Sequence, residues 1–481
     1  MRKRVPFTPA DLVDHQQGTD DALAGQNFTT SVLIGDAGGS MFDFSKGGND
    51  TFTAGFIATT IAFGDAFGSL FDFAQGGDDT FAAPLFFGRN TFYGDAGGNM
   101  SDHSKGGNDS FIGGSNTFNT FYGDAGGNMS DHSEGGNDTF TGGPVGAETT
   151  FYGDAGGNMS DHSKGGDDTL VGGFLGSNTF YGDAGGNMSD HSKGGNDSFT
   201  ELAQPFGGVT NTFYGDAGGN MSGSAQGGND TFIASGSTAT GSSSSFVSIF
   251  YGDAGGDMSD FAHGGDDVAV LLDIVDVFSF AQQSVNKANG DALTMSGHAV
   301  GGNDTLTGGN NSSSGFVENN LAGDAGNTMS GSAHGGNDVL TGGNNTGSGQ
   351  LSNFLYGDAL SLSGSSKGGN DTLYAGTTAP GGTVSNDMWG EGLLLDRAQG
   401  GKDQFVFKDN GLMTVGTHNT IEDFSQSQHD QIVFSNVAGV HSFNDLVITQ
   451  TGTDTVITAG ADQVTLHNFS GSLTAHDILF A

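Results

Sequence analysis

One repeated stretch constrains this chain more than any other feature. It is clearest as Asp95-Ala-Gly-Gly-Asn-Met-Ser-Asp-His-Ser-Lys-Gly-Gly-Asn-Asp109, set between Thr91-Phe-Tyr-Gly94 and Ser110-Phe-Ile-Gly-Gly114. A unit this short offers too few apolar side chains to bury a face alone, so its copies must stack on one another. Stacking turns each repeated position into a column of like residues.

Two columns are acidic. A Gly-Asp pair places Asp36, Asp65, Asp95, Asp124, Asp154, Asp183, Asp216, Asp253, Asp291, Asp324 and Asp358, first 29 or 30 residues apart and later 33 to 38. A Gly-Gly-(Asn/Asp)-Asp run then places Asp50, Asp79, Asp109, Asp138, Asp168, Asp197, Asp230, Asp267, Asp304, Asp338 and Asp371, with Asp403 closing a later Gly-Gly-Lys-Asp. The interval from first to second aspartate is 14 residues, or 13 after Asp291 and Asp358, whereas the opposite connection varies in length. A turn of constant length is a turn with a shared task.

Apolar residues keep the same register. Leu33, Ala62, Phe92, Phe121 and their successors precede the first aspartate by three, and Phe52, Phe81, Phe111, Phe140 and their successors follow the second by two. Each repeat therefore predicts two very short strands with one inward side chain each. Met41, Leu70, Met100, Met129, Met159, Met188 and Met221 predict core between successive loops. Alternation directs Tyr93, Tyr122, Tyr152, Tyr181, Tyr214, Tyr251 and Tyr356 outward if the Phe column points inward, which suits either sugar stacking or packing between rolls.

The long constant turn holds a third acidic column, Asp43, Asp72, Asp102, Asp131, Asp161, Asp190 and Asp260, followed in four repeats by His103, His132, His162 and His191. These aspartates are either additional carboxylate ligands or turn formers. The histidines either bind a borderline metal such as Zn²⁺ with them or lie on the surface. Lys46, Lys105, Lys164, Lys193 and Lys367 are expected to offset neighbouring carboxylates.

The fold expected is all-β: a right-handed parallel β-roll of about eleven coils, with long loops on one edge. Residues 1–30 form an N-terminal cap, in which Pro9 to His15 predicts one turn of helix and Asp20-Asp21-Ala-Leu-Ala-Gly25 a degenerate half-repeat. Residues 31–384 form the roll. Residues 385–481, with alternating runs such as Phe405-Val-Phe407 and Gln431-Ile-Val-Phe434, form a β-rich C-terminal cap. The apolar run Val268 to Val277 is broken by Asp273 and Asp276, so no transmembrane segment is expected, and the basic start Met1-Arg-Lys-Arg4 has no apolar stretch behind it.

Composition then narrows function. Of 481 residues 89 are glycine, and 55 Asp plus Glu face 13 Lys plus Arg, a formal charge of -42. That charge opposes compaction unless cations are bound, and it argues against nucleic acid or anionic membrane as partner. With no cysteine, disulfides, thiolate metal sites and thiol catalysis are excluded. Glycines around an aspartate let carbonyls and carboxylates converge, and all-oxygen convergence suits Ca²⁺. Aspartates on successive rungs, about 5 Å apart, repel unless a cation lies between them.

Gly301-Gly-Asn-Asp-Thr-Leu-Thr-Gly-Gly309 and Gly335-Gly-Asn-Asp-Val-Leu-Thr-Gly-Gly343 resemble the calcium-binding nonapeptides of the haemolysin-type, or repeats-in-toxin, family. The resemblance implies a parallel β-roll with Ca²⁺ in its turns, folding on meeting calcium outside the cell, and export by a type I system. Asp477-Ile-Leu-Phe-Ala481 looks like a type I secretion terminus. Here about ten residues, such as Gly98 to Gly107, are inserted where the common motif runs directly on. No His-Glu-x-x-His or Gly-x-Ser-x-Gly is present, so no enzyme is expected. The expectation is a secreted, extracellular or cell-surface calcium-binding protein that assembles with itself into a surface layer, sheath or matrix. The alternative is a monomeric calcium-dependent adhesin that binds cell-surface polysaccharide.

Overall fold

The computed structural model describes residues 11–84, 87–143, 145–173, 176–202, 208–236, 245–275, 283–409 and 414–481. The basic start with Pro9, and Asp276 and Val277 of the apolar run, lie outside them. The chain is a nearly all-β parallel solenoid of about 11 turns. Among the described residues no helix is long and apolar enough to cross a membrane.

Two compact units divide the chain. The first comprises Met1–Leu202, Asn211–Thr231 and Asp253–Gly255, and the second the remainder. In the first unit the three-residue strands Thr51–Thr53, Thr80–Ala82, Ser110–Ile112, Thr139–Thr141 and Thr169–Val171 pair in parallel and in order. Their register stacks Phe52, Phe81, Phe111, Phe140 and Leu170, all fully buried. A second parallel ladder joins Thr59–Phe63, Arg89–Tyr93, Phe118–Tyr122, Glu148–Tyr152 and Asn178–Tyr181. It stacks Phe92, Phe121, Phe151 and Phe180 against the first column, with Phe111 and Phe121 ring centroids 5.1 Å apart. Burying a phenylalanine contributes about 1.5–3 kcal/mol, so each coil is held mainly by rings from its neighbours.

The inserted residues also pair from rung to rung. Ala96, Met100 and Lys105 bridge in parallel to Ala125, Met129 and Glu134, and the same three positions bridge in the adjoining coils. The insertion is thus a third ladder, with Ala96 and Met100 fully buried beneath it. In the second unit this ladder widens into continuous strands, Ala292–Met295, Ala325–Met329 and Ala359–Leu362, which pair in parallel. Buried asparagines there bond coil to coil, each side-chain amide N–H donating to the next carbonyl oxygen, from Asn286 through Asn319, Asn353 and Asn386 to Asn419 at 2.8–2.9 Å.

Both ends differ from the expected boundaries. The predicted helical turn before residue 16 does not form among residues 11–15. Instead Leu12 bridges Met41, Gln17 bridges Lys46, and Asp14 and His15 take left-handed φ values of 51° and 64°. Leu12-Val-Asp-His therefore occupies the place of Met100-Ser-Asp-His, and stacking on the next coil outweighs weak local helix preference. Ala22–Ala24 pairs with Thr51–Thr53 as a further rung. Parallel pairing also continues past residue 384, through Gln404–Lys408, Gln431–Ser435 and Ile478–Phe480. The meander Leu446–Thr451, Asp454–Ala459 and Asp462–Leu466 is antiparallel, as is the short pair Thr377–Thr378 with Thr414–Val415, and the meander joins the parallel ladder at Ile421 and Leu466.

Candidate metal centre

Each coil delivers its first aspartate two residues after its second-ladder strand, which ends in tyrosine in seven coils and in Ile34, Phe63, Asn289 or Ala322 in the others. Gly94, between Tyr93 and Asp95, admits no side chain: a Cβ would lie 1.7 Å from the Gly123 carbonyl oxygen and 1.8 Å from Oδ2 of Asp109. Beyond it the Asp95 carboxylate turns inward and accepts the Gly107 N–H, 3.0 Å from Oδ2. Asp124, Asp154 and Asp183 accept in the same way from Gly136, Gly166 and Gly195, and in the second unit Asp324 and Asp358 accept from Gly336 and Gly369.

The second column is linked end to end. The Asp79 N–H donates to Oδ1 of Asp109, Asp109 to Asp138, Asp138 to Asp168 and Asp168 to Asp197, at 2.6–2.7 Å. In the second unit the same chain runs from Asp304 through Asp338 and Asp371 to Asp403. The other oxygen, Oδ2, of Asp79, Asp109, Asp138, Asp168, Asp197, Asp304, Asp338, Asp371 and Asp403 is buried and meets no hydrogen-bond donor among the described residues. Asp36, Asp50, Asp65, Asp216, Asp230, Asp253, Asp267 and Asp291 complete the two columns and are likewise buried.

Carboxylates of successive coils approach one another within the first column. A Cβ on Gly106 would lie 1.5 Å from Oδ1 of Asp124 and 2.9 Å from Oδ2 of Asp95, so carboxylates of successive coils border one point. Burial, then repulsion by neighbouring aspartates, pushes Asp65, Asp95, Asp109, Asp154 and Asp168 well above the usual carboxylate range. Asp124 and Asp183 are pushed up to about 8, by burial first and then by Asp138 and Asp197 respectively. Lys105 and Lys164 pair with the neighbouring carboxylate of half-buried Glu134, and Lys46, Lys193 and Lys367 are exposed, away from the buried columns.

Buried anions without donors or a basic partner require either protons or a cation. The donor set is all carboxylate oxygen, with no imidazole or thiolate among the columns. It fits a hard cation such as Ca²⁺. Asp95 with Asp109, and their equivalents in other coils, would hold it. Bound there, it would neutralise carboxylates and take up the orphaned Oδ2 atoms.

The third acidic column stands apart from this arrangement. Asp43, Asp72, Asp102, Asp131, Asp161, Asp190 and Asp260 are exposed and have φ between 49° and 58°. Glycines 223, 297, 331 and 364 take the same position in other coils with φ of 67° to 72°. Asp and Gly interchange there because both tolerate left-handed backbone. The Ser104 N–H closes the turn onto the Ser101 carbonyl at 3.1 Å.

The histidines that follow are stacked. Centroids of His103, His132, His162 and His191 are 4.8–4.9 Å apart with planes within 3°. Equivalent nitrogens of such rings are about 5 Å apart, whereas two Zn–N bonds span at most about 4.2 Å. One ion therefore does not bridge neighbouring rings.

The tyrosines are also stacked, 4.7–4.9 Å from Tyr93 to Tyr214, and half-buried. Burial first, then the adjoining Tyr152 and Tyr214, pushes Tyr181 up to about 12.

Four acidic residues join the columns without matching the repeat pattern. The Asp21 N–H donates to Oδ1 of Asp50 at 2.6 Å, and Asp430 accepts from the Asp403 N–H at 3.2 Å. Glu391 and Asp423 are the others. The frame Gly390-Glu-Gly392 was the available signal for Glu391; Asp21 and Asp430 lack the preceding Gly-Gly.

Comparison with protein-family models, curated proteins and solved structures gives no match. The functional reading therefore rests on the geometry of the columns.

Proposed function

We propose that this protein is a secreted calcium-binding structural protein that folds around stacked Ca²⁺ ions. Further copies would associate with it into a surface layer, sheath or extracellular matrix. The observation that carries the reading is the set of orphaned Oδ2 atoms on Asp79, Asp109, Asp138, Asp168 and Asp197, buried beside other aspartates. A fold that closes over so many carboxylates depends on a counter-ion the chain does not supply. The nonapeptide resemblance supports type I export to a calcium-rich exterior.

Assembly is supported by surface repetition. Coils present Asp-His turns and lysine positions at one spacing, a pattern that suits lattice contacts between copies. The tyrosine column favours packing over sugar binding, because Tyr93 lies against Gly126, where a Cβ would come 2.4 Å from its ring.

Negative-stain microscopy of the full chain tests the assembly. Sheets or filaments that appear with Ca²⁺ and disperse on chelation are expected. Single particles at high protein concentration, together with binding on a glycan array, would replace this reading with the adhesin.

A further inference from the structure

Where the regular Gly-Asp pattern ends, three carboxylates from separate turns meet. Glu391 takes the first-column place: the Ala359 N–H reaches its carbonyl at 3.0 Å, as the Ala325 N–H reaches that of Asp358. Asp403 closes the next Gly-Gly turn, and Asp430 ends the turn before Gln431–Ser435. One carboxylate oxygen from each of Glu391, Asp403 and Asp430 lies within 4.8 Å of the other two. Their relative exposures are 1%, 0% and 2%.

Protein donors satisfy only part of this cluster. Oε1 of Glu391 accepts from the Gln428 amide at 2.9 Å. Asp430 accepts the N–H groups of Ser425 and Asp403, and Oδ1 of Asp403 accepts that of Asp371. Oε2 of Glu391 and Oδ2 of Asp403 are buried and meet no donor among the described residues. Adjacent Asp423 is different, since the N–H groups of Gly390, Glu391 and Gly392 all converge on it at 2.9–3.1 Å. It positions the Glu391 turn and is itself satisfied.

We infer that Glu391, Asp403 and Asp430 form a Ca²⁺ site of their own, which fastens the 425–430 turn, and with it strand Gln431–Ser435, to the preceding coil. Three buried carboxylates with no water-facing side suit Ca²⁺, which takes roughly six to eight oxygen ligands, better than Mg²⁺, which keeps several waters. The site shares Asp403 with the second column but does not depend on ions in the other coils. The glutamate's extra methylene is the feature that sets it apart from them.

The sole tryptophan, Trp389, is two residues from Glu391 and provides a local reporter. The full-length chain, kept folded in Ca²⁺, is titrated with Tb³⁺ while Trp389 is excited selectively. Sensitised emission that Ca²⁺ displaces is expected. Glu391→Gln and Asp430→Asn should each weaken the apparent affinity about tenfold or more, with unchanged far-UV circular dichroism, whereas Asp102→Gly, in the exposed turn, should leave it at the wild-type value. Unchanged affinity in both site variants overturns the inference, as does a wild type without sensitised emission.

If the variants fail to fold, anomalous scattering from wild-type crystals grown with Tb³⁺ decides, since a peak among the three carboxylates is required. Total bound ⁴⁵Ca²⁺ separates the two readings. Empty columns with this site filled would give about one ion per chain and retained emission; a failure of this site alone would leave many ions bound and variants equal to wild type.

Discussion

The backbone N–H of Asp109 donates to the carboxylate of Asp138, 2.6 Å away and 29 residues on in sequence. From Asp79 to Asp197 each second-column aspartate thus uses one oxygen to orient the coil before it, and its other oxygen is buried with no donor among the described residues. If the columns hold Ca²⁺ as proposed, structure and ion binding should be lost together.

Chelation is therefore expected to remove the β signal in far-UV circular dichroism, and added Ca²⁺ to restore it. An unchanged spectrum in excess EDTA would count against calcium-coupled folding.

The metal-free chain should show an inverted pH dependence. Asp50 is pushed up to about 7, by burial first, and Asp124 and Asp183 to about 8. Between the ordinary carboxylate value and these values the folded state binds more protons than the unfolded, so stability falls as pH rises. The fold should persist in acid without metal and melt as pH climbs through about 7 to 8. Denaturant titrations across pH, with and without Ca²⁺, check this, and saturating Ca²⁺ should flatten the profile.

Asp109→Asn should weaken calcium-dependent folding strongly, because the orphaned Oδ2 sits on that residue. Asp102→Gly should change stability by no more than about 0.5 kcal/mol, since glycine already fills this turn position elsewhere. Asp102→Val should cost about 1–2 kcal/mol through left-handed strain. Equal calcium midpoints for Asp109→Asn and Asp102→Gly would place the ions outside the columns.

Gly94→Ala is expected to destabilise by about 3 kcal/mol, because its Cβ meets a backbone carbonyl and a carboxylate that cannot both retreat. Phe111→Ala should cost about 3–5 kcal/mol from the cavity left between coils. Calcium-saturated thermal melts measure both, and a Gly94→Ala midpoint at the wild-type value would show that the Gly123 carbonyl and Asp109 move aside.

Much of the parallel architecture was legible because Phe111, Asp95 and Asp109 recur at a period only stacking explains. The roles of Asp102 and His103 were not, because a turn former and a ligand have the same sequence signature. The left-handed φ of 53° at Asp102 accounts for the turn. Asp21, though part of a recognised half-repeat, was not placed in the acidic columns, nor were Glu391 and Asp430, because their flanking residues depart from Gly-Asp or Gly-Gly-x-Asp, although their backbones keep the register.

The sequence by itself determined that coils stack in parallel, that apolar rings line the interior, and that two ranks of aspartates run along it. Those follow from period and residue type alone. Only the tertiary structure decided that the inserted residues form a third ladder and that Tyr93 packs on Gly126. It also decided that Glu391 joins Asp403 and Asp430. Each of these depends on which atoms meet across coils about thirty residues apart, and that distance in the chain carries no local signal.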